Sequence, residues 1–402
     1  MFAGRLVELR GTEQALHQTK HGNSHHFLIH GERGIGKSSL LMNLQLVANG
    51  RIKTIAGEDF KFLTINIELE PSNTYTDIIQ KIGNELRREV GNHRPATEIA
   101  KTAWDFLTRW EVAGVKYTDG RNEAKPNELL EELTHTIERT LSQFSGELDG
   151  VVILIDEADK APLGANLGEF VKVFTERLTK RGCNQVCLGL AGLSTLLHTL
   201  RQGHESSVRI FEMFTLEPLL ESERKQVVDM GLTEANDKNG VETSITEDAK
   251  QLISTMSEGY PHFLQQFAFC AFNEDSDNKI EIDDVVRGAL NPEGGAVSQL
   301  GLKYFHELYF DQIGADEYRS VLRAMAEGFD NWITKAEIRK NVKIKESTLN
   351  NALNALKKRH IIVAKPGRSG TYRLPTRSFA VWIKAFAKAK DETQTATEPT
   401  DL

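Results

Sequence analysis

Gly31-Glu32-Arg33-Gly34-Ile35-Gly36-Lys37-Ser38 places three glycines, a lysine and a hydroxyl at the spacing G-x-x-x-x-G-K-[ST]. Glycines let a backbone curl until successive N–H groups converge, and converging amides bind phosphate oxygens. Lys37 then reaches the outer phosphates and the Ser38 hydroxyl meets a magnesium ion, with Ser39 the last position of the nucleotide-binding set. The flanks suit that chemistry. Phe27-Leu28-Ile29 reads as a buried strand ahead of the loop, and Ser39 to Leu44 carries apolar residues at helical spacing behind it. The helix N-terminus adds partial positive charge where a phosphate would lie.

A second constellation follows far downstream. Val151-Val152-Ile153-Leu154-Ile155 is apolar throughout, as in a strand buried on both faces, and it runs into Asp156-Glu157. Ligands of an open α/β sheet lie beyond the carboxyl ends of its strands. Asp156 is therefore expected to hold Mg²⁺, and Glu157 to orient or deprotonate an attacking water. An ordinary strand followed by an Asp-capped helix gives the same letters, but the phosphate loop upstream favours the chemical reading.

These residues need a scaffold, and 402 residues exceed one compact core, so two or three domains are expected. No run of about 18 apolar residues occurs, and the first residues lack a signal-peptide pattern, which predicts a cytoplasmic protein without a membrane span. Cys183, Cys187 and Cys270 are too few and too irregular for a disulfide framework and read as buried thiols. His17, His21, His25, His26 and His30 cluster, but only the first two share a helical face, so a metal site is not favoured.

Along the chain, Phe62–Ile67 reads as the second strand, with Ser72 capping the helix after it; Val186–Leu190 is the fourth strand and Phe214–Leu219 the fifth. Strands alternating with helices predict an α/β class, a doubly wound parallel sheet of P-loop NTPase type, over 1–218 with an irregular insertion at 91–127. Residues 219–290 are purely helical, with starts at Ser222, Thr246, Gly259 and Asp283, and read as a lid. Residues 291–316 are a linker and connecting helix, 317–390 three helices and a hairpin in the order of a winged helix-turn-helix, and 391–402 a disordered tail. Thr334 and Ser347 are the expected N-caps of the last two of those helices.

Net charge is −8, which by itself argues against nucleic acid. Its distribution argues the other way. Residues 317–390 hold 17 Lys and Arg against 5 Asp and Glu, a net of +12, leaving 32 against 52, a net of −20, elsewhere. From Ser347 to Arg359, Leu349, Ala352, Leu353 and Leu356 fall on one face, and Asn350, Asn351, Asn354, Lys357 and Lys358 on the other. Asparagine bonds base edges and lysine bonds phosphates, while Lys365, Arg368 and Arg373 on the hairpin would meet the DNA backbone. A protein-binding winged helix with a solvated lysine face is the competing reading.

Phosphate loop, Asp-Glu strand, helical lid and winged helix, in this order, resemble the origin-recognition-like, initiator-type branch of the AAA+ ATPases over about residues 1–375. The resemblance implies ATP and Mg²⁺ as cofactors, ATP hydrolysis, an oligomer, and nucleotide-controlled assembly on DNA. Phe2-Ala3-Gly4-Arg5 resembles the box this family sets near the adenine, which implies Phe2 and Arg5 as nucleotide contacts. Asn66 matches the polar residue that switches the catalytic glutamate, and Ser194 is the nearest match to a γ-phosphate sensor. Arg209 falls where an arginine is offered to a neighbour's nucleotide, and a bond within its own subunit is the alternative. The lid departs from the pattern. Gly259-Tyr260-Pro261-His262 resembles signalling (STAND-type) NTPases, which implies Pro261 and His262 near the phosphates of a slow switch acting on a partner protein in transcription, transposition or antiphage defence.

Overall fold

Apolar β-formers at five places in the first half of the chain assemble into one parallel sheet, as seen in a computed structural model that describes residues 4–92, 126–328 and 331–387. The strands are β1 (His26–Gly31), β2 (Phe62–Glu68), β3 (Gly150–Asp156), β4 (Val186–Gly192) and β5 (Phe211–Leu216), in the order β2-β3-β4-β1-β5. This is the doubly wound P-loop NTPase sheet, and it lies in a compact unit running Arg5–Glu217. Side chains alternate across a sheet. Leu63, Ile65 and Ile67 with Val151, Ile153 and Ile155 therefore share one core with the helices Tyr75–Asn92, Pro126–Gln143 and Leu167–Lys180. Val152 and Leu154, equally buried, serve the other face, where the helices Leu6–Lys20 and Lys37–Ala48 pack on each other and on the strands.

The expectation for β5 ran too late. Ser207–Ile210 forms a short 3₁₀ turn and the strand begins at Phe211, paired with His26 of β1. The expected caps also shift. Thr74, not Ser72, caps the helix Tyr75–Asn92, its Oγ1 accepting from the Asp77 N–H at 3.3 Å while Asp77 accepts from the Thr74 N–H at 2.7 Å. A hydroxyl caps only where its own backbone is extended and its carbonyl opens the helix, and Ser72 lies one turn too early. Most of the 91–127 insertion, together with Phe2 and the 391–402 tail, falls outside the described residues.

From Pro218 onward the chain makes a second compact unit. Its helices Glu221–Asn239, Glu247–Ser257, Pro261–Glu274 and Ile282–Leu290 cover the segment read as a lid. Ser222 lies inside the first of these, because Glu223 caps it by accepting from the Leu220 N–H at 2.8 Å. Asp316–Glu327, Lys335–Asn341 and Glu346–Lys358 follow, with Val363–Ala364 and Ile333–Thr334 flanking Thr371–Arg373 in an antiparallel sheet. Thr334 caps its helix, accepting from the Glu337 N–H at 3.3 Å, whereas Lys345 rather than Ser347 stands at the start of the next.

One hydrophobic core runs through this unit from Leu219 to Ala387. The 291–316 stretch supplies part of it, with Ala296, Val297, Leu300, Phe305, Tyr309 and Ile313 buried. Phe305 packs on Phe263, Phe379 and Trp382, and a Cβ at Gly301 would lie 1.9 Å from Trp382 Nε1. Glycine is required there because the indole occupies the space of any side chain. Glu258 accepts from the Arg377 N–H at 2.5 Å, tying the last helix, Arg377–Trp382, to the end of Glu247–Ser257. Among the described residues no helix is long and apolar enough to cross a membrane.

Candidate functional site

Gly31 ends β1, and the chain turns through Gly34 (φ 77°) and Gly36 (φ 103°) before Lys37 opens its helix. Both angles lie in the left-handed region that side chains disfavour, so the glycines permit the curl. Ile35 between them is buried and anchors the loop from below, its Cγ2 3.1 Å from where a Cβ of Gly31 would stand. Ser38 and Ser39 are exposed in the first turn of the helix. Lys37 Nζ donates to the carbonyls of Gly31 at 3.1 Å and Glu32 at 2.8 Å, folding over its own loop. Partial burial lowers its pKa, against the pull of Asp159, Glu157, Asp156 and Glu32. Arg33 is exposed at the rim.

The carboxylates stand where β3 ends. Asp156 Oδ1 accepts from the Glu157 N–H at 2.8 Å, and Glu157 is itself left-handed at φ 51°. That conformation is uncommon for a residue with a side chain and marks the turn as one the surrounding structure imposes. Lys160 Nζ bridges Glu157 Oε2 at 3.5 Å and Glu68 Oε1 at 3.4 Å. Asp159 Oδ1 accepts from the Leu193 N–H at 2.8 Å, clipping the turn after β3 to the end of β4. Lys37, Asp156 and Glu157 are thus brought to one edge of the sheet, with the unanticipated Asp159, Lys160 and Glu68 among them. Asp159 is one turn beyond Asp156, a spacing that signals a shared face once the strand end is known.

Asn66 is placed differently from the resemblance. Its Nδ2 donates to Gln45 Oε1 at 3.3 Å, and the neighbour of Glu157 is Lys160. In register it is Glu68, two residues on, that faces Asp156, so strand pairing sets Asn66 back from the carboxylates. Ser194 is exposed in the turn past β4. Arg209 is exposed in the 3₁₀ turn before β5, and its guanidinium has no ion-pair or hydrogen-bond partner among the described residues.

The histidines are dispersed. His17 meets Glu58 at 3.1 Å and His25 meets Glu212 at 2.9 Å, while His26 Nδ1 accepts from the Leu188 N–H and burial lowers its pKa to about 4. Among the described residues no group of three or more His, Cys, Asp and Glu side chains is placed to hold a metal ion. All three cysteines are buried and free. In the C-terminal unit, Pro261 occupies the first position of its helix, and His262 lies edge-on to Tyr304 with ring centroids 5.3 Å apart; burial, and secondly Lys303, lower the His262 pKa.

The helix Glu346–Lys358 buries Leu349, Ala352, Leu353 and Leu356 and exposes Asn350, Asn351, Asn354, Lys357 and Lys358. Glu346 holds its start against the preceding helix through ion pairs to Lys335 and Arg339. On the hairpin Arg368 is exposed, while Lys365 Nζ and Arg373 Cζ lie 5.5 and 5.0 Å from the ring centre of Trp332. Trp332 carries no pattern of its own in the sequence.

Sheet order, loop and terminal Asp-Glu together define a P-loop nucleotide-binding protein. Residues 1–169 match the profile of the AAA ATPase domain. No curated protein sequence matches the chain. Among solved structures, the Aeropyrum pernix ORC2 protein in its ADPNP–ADP complexes is similar at 15% identity and a TM-score of 0.58, covering 98% of this chain and 96% of that one. A Walker-type ATPase of Pyrococcus abyssi gives 18% identity and a TM-score of 0.55, covering 95% and 96%. At these identities the likeness is one of fold: the chain has the architecture of the ORC-like AAA+ P-loop ATPases.

Proposed function

We propose that this is a cytoplasmic ATPase that binds ATP with Mg²⁺, hydrolyses it, and uses nucleotide state to control its assembly as an oligomer on DNA. The observation that carries the reading is the convergence of Lys37, Asp156 and Glu157 at the carboxyl edge of a parallel sheet, beside a loop curled by Gly34 and Gly36. Backbone groups from Gly31 to Ser39 would receive the phosphates, and Lys37 would exchange its two loop carbonyls for phosphate oxygens. Ser38 and Asp156 would hold Mg²⁺, which neutralises charge on the phosphates. Glu157 would orient the attacking water. The ORC2 protein's ADPNP–ADP complexes support the nucleotide assignment.

An exposed Arg209, without an ion-pair or hydrogen-bond partner among the described residues, supports catalysis completed by a neighbour. Glu157→Gln and Arg209→Ala are each expected to be nearly inactive alone and to recover turnover when mixed, because one copy lends its arginine and the other its glutamate. Steady-state phosphate release from the mixture checks this, and no recovery would exclude a trans role.

The C-terminal helices and hairpin have the order of a winged helix, and the +12 balance with an exposed Asn/Lys helix face supports DNA as its ligand. Replacing Lys357, Lys358 and Arg368 together by Ala is expected to weaken duplex binding and to flatten the slope of log affinity against log salt by about 2 to 3. An unchanged slope, measured by fluorescence anisotropy, would assign the module to a protein partner.

A slow, STAND-like switch regulating a partner is the second reading, favoured by the Lys160 ion pair that occupies a Glu157 oxygen. ATPase rate against protein concentration, with and without duplex DNA, separates the two. A rise with both supports assembly on DNA, and tight nucleotide with negligible turnover supports the switch.

A further inference from the structure

We infer that Arg5 is a positioning residue of the phosphate loop rather than an adenine contact; this rests on the nucleotide-binding reading above. Arg5 Nη2 donates to the Ile35 carbonyl at 3.0 Å, a bond that spans 30 residues and is buried. Only 7% of the arginine is exposed. A guanidinium removed from water needs strong acceptors, and losing one costs more than the bond itself is worth on the surface. Glu8 Oε1 lies 3.8 Å from Arg5 Nη1, one turn along the helix that Arg5 precedes.

The acceptor is well chosen for control of the loop. Ile35 lies between Gly34 and Gly36, the two left-handed glycines on which the curl depends. Those glycines supply freedom but no restraint, so something else must select one conformation. The buried Ile35 side chain restrains the loop from one side, and Arg5 ties down the adjoining carbonyl. Arg5 itself holds φ 61°, ψ 31° as the residue before the helix Leu6–Lys20, and its own carbonyl accepts from the Leu9 N–H at 2.8 Å. A left-handed arginine is strained, and the strain persists because the guanidinium is held at its far end. Arg5 thus joins the first turns of two helices that pack on each other, Leu6–Lys20 and Lys37–Ala48. Their N-terminal ends carry partial positive charge, so the arginine also deepens a potential that a polyphosphate relieves.

Hydrogen–deuterium exchange of the ligand-free full-length protein tests this directly. Arg5→Ala is expected to speed exchange of the 34–38 amides about tenfold while helices elsewhere keep their protection, and Arg5→Lys, which retains the charge and N–H donors on a shorter side chain, to recover part of it. Calorimetric titration with Mg-ATP and with inorganic tripolyphosphate gives the second arm. A loop-positioning role weakens both ligands by the same factor. Loss of ATP affinity with tripolyphosphate unaffected, or loop exchange unchanged in Arg5→Ala, would overturn the assignment. Should Arg5→Ala fail to fold, the Arg5→Lys protein decides by the same pair of measurements: equal weakening of both ligands supports it, and ATP alone overturns it. Wild-type protein that binds neither ligand yet shows the Arg5-dependent exchange would instead remove the nucleotide reading and leave the contact standing.

Discussion

Lys37→Ala is expected to weaken ATP binding by about 10²- to 10³-fold in a calorimetric titration. The magnitude follows from the loss of charge-assisted bonds to phosphate, each worth about 1.5–3 kcal/mol. In the ligand-free loop the ammonium is bound to the Gly31 and Glu32 carbonyls, so nucleotide must replace those bonds. A compact cation that leaves carbonyls for phosphate trades neutral acceptors for charged ones, and the balance favours the ligand. Thermal melting of the variant separates this from damage to the fold: the affinity is lost while the melting transition remains cooperative. Unchanged ATP affinity would remove the loop from the mechanism, whatever its geometry.

The second large effect is in turnover. On the proposed reading, Glu157→Gln is expected to keep ATP binding within a few-fold of wild type and to lower hydrolysis by about 10²- to 10⁴-fold, the range that a positioned general base contributes. The amide is nearly isosteric, so the Asp156 carboxylate still accepts from the residue-157 N–H and the left-handed turn survives. What is lost is a carboxylate able to take a proton. The ion pair with Lys160 also disappears, which frees that lysine toward Glu68 alone. Radioactive filter binding and single-turnover phosphate release check both halves. Wild-type turnover in Glu157→Gln would place the base elsewhere, with Asp159 the next carboxylate to examine.

Much of this site was readable before any coordinates. Gly31–Ser38 is a local object: its spacing alone compels a turn, and the apolar runs before and behind it say what the turn joins. Val151–Ile155 is likewise legible because burial on both faces leaves an unmixed apolar strand, and Asp156-Glu157 then falls at its end. The amphipathic division of Glu346–Lys358 follows from helical periodicity and appears residue for residue in the burial pattern. Helix starts were less legible. Ser72, Ser222 and Ser347 each lost the cap to a neighbour, because several residues near a boundary can cap and the tertiary path decides which backbone is extended there. The Ile333–Thr334 strand was unreadable for another reason: two residues carry no period, and only Thr371 and Tyr372 opposite make them a strand.

Sequence alone determined that a glycine-rich loop with a lysine, an acidic strand end and a basic C-terminal module exist, since each is written in neighbouring residues whose chemistry is local. Tertiary structure alone decided that Arg5 grips Ile35, that Lys160 stands between Glu157 and Glu68, and that the 291–316 stretch contributes to the core. Those outcomes rest on groups tens of residues apart meeting within about 3 to 4 Å, the range over which hydrogen bonds and ion pairs act and which no one-dimensional spacing encodes.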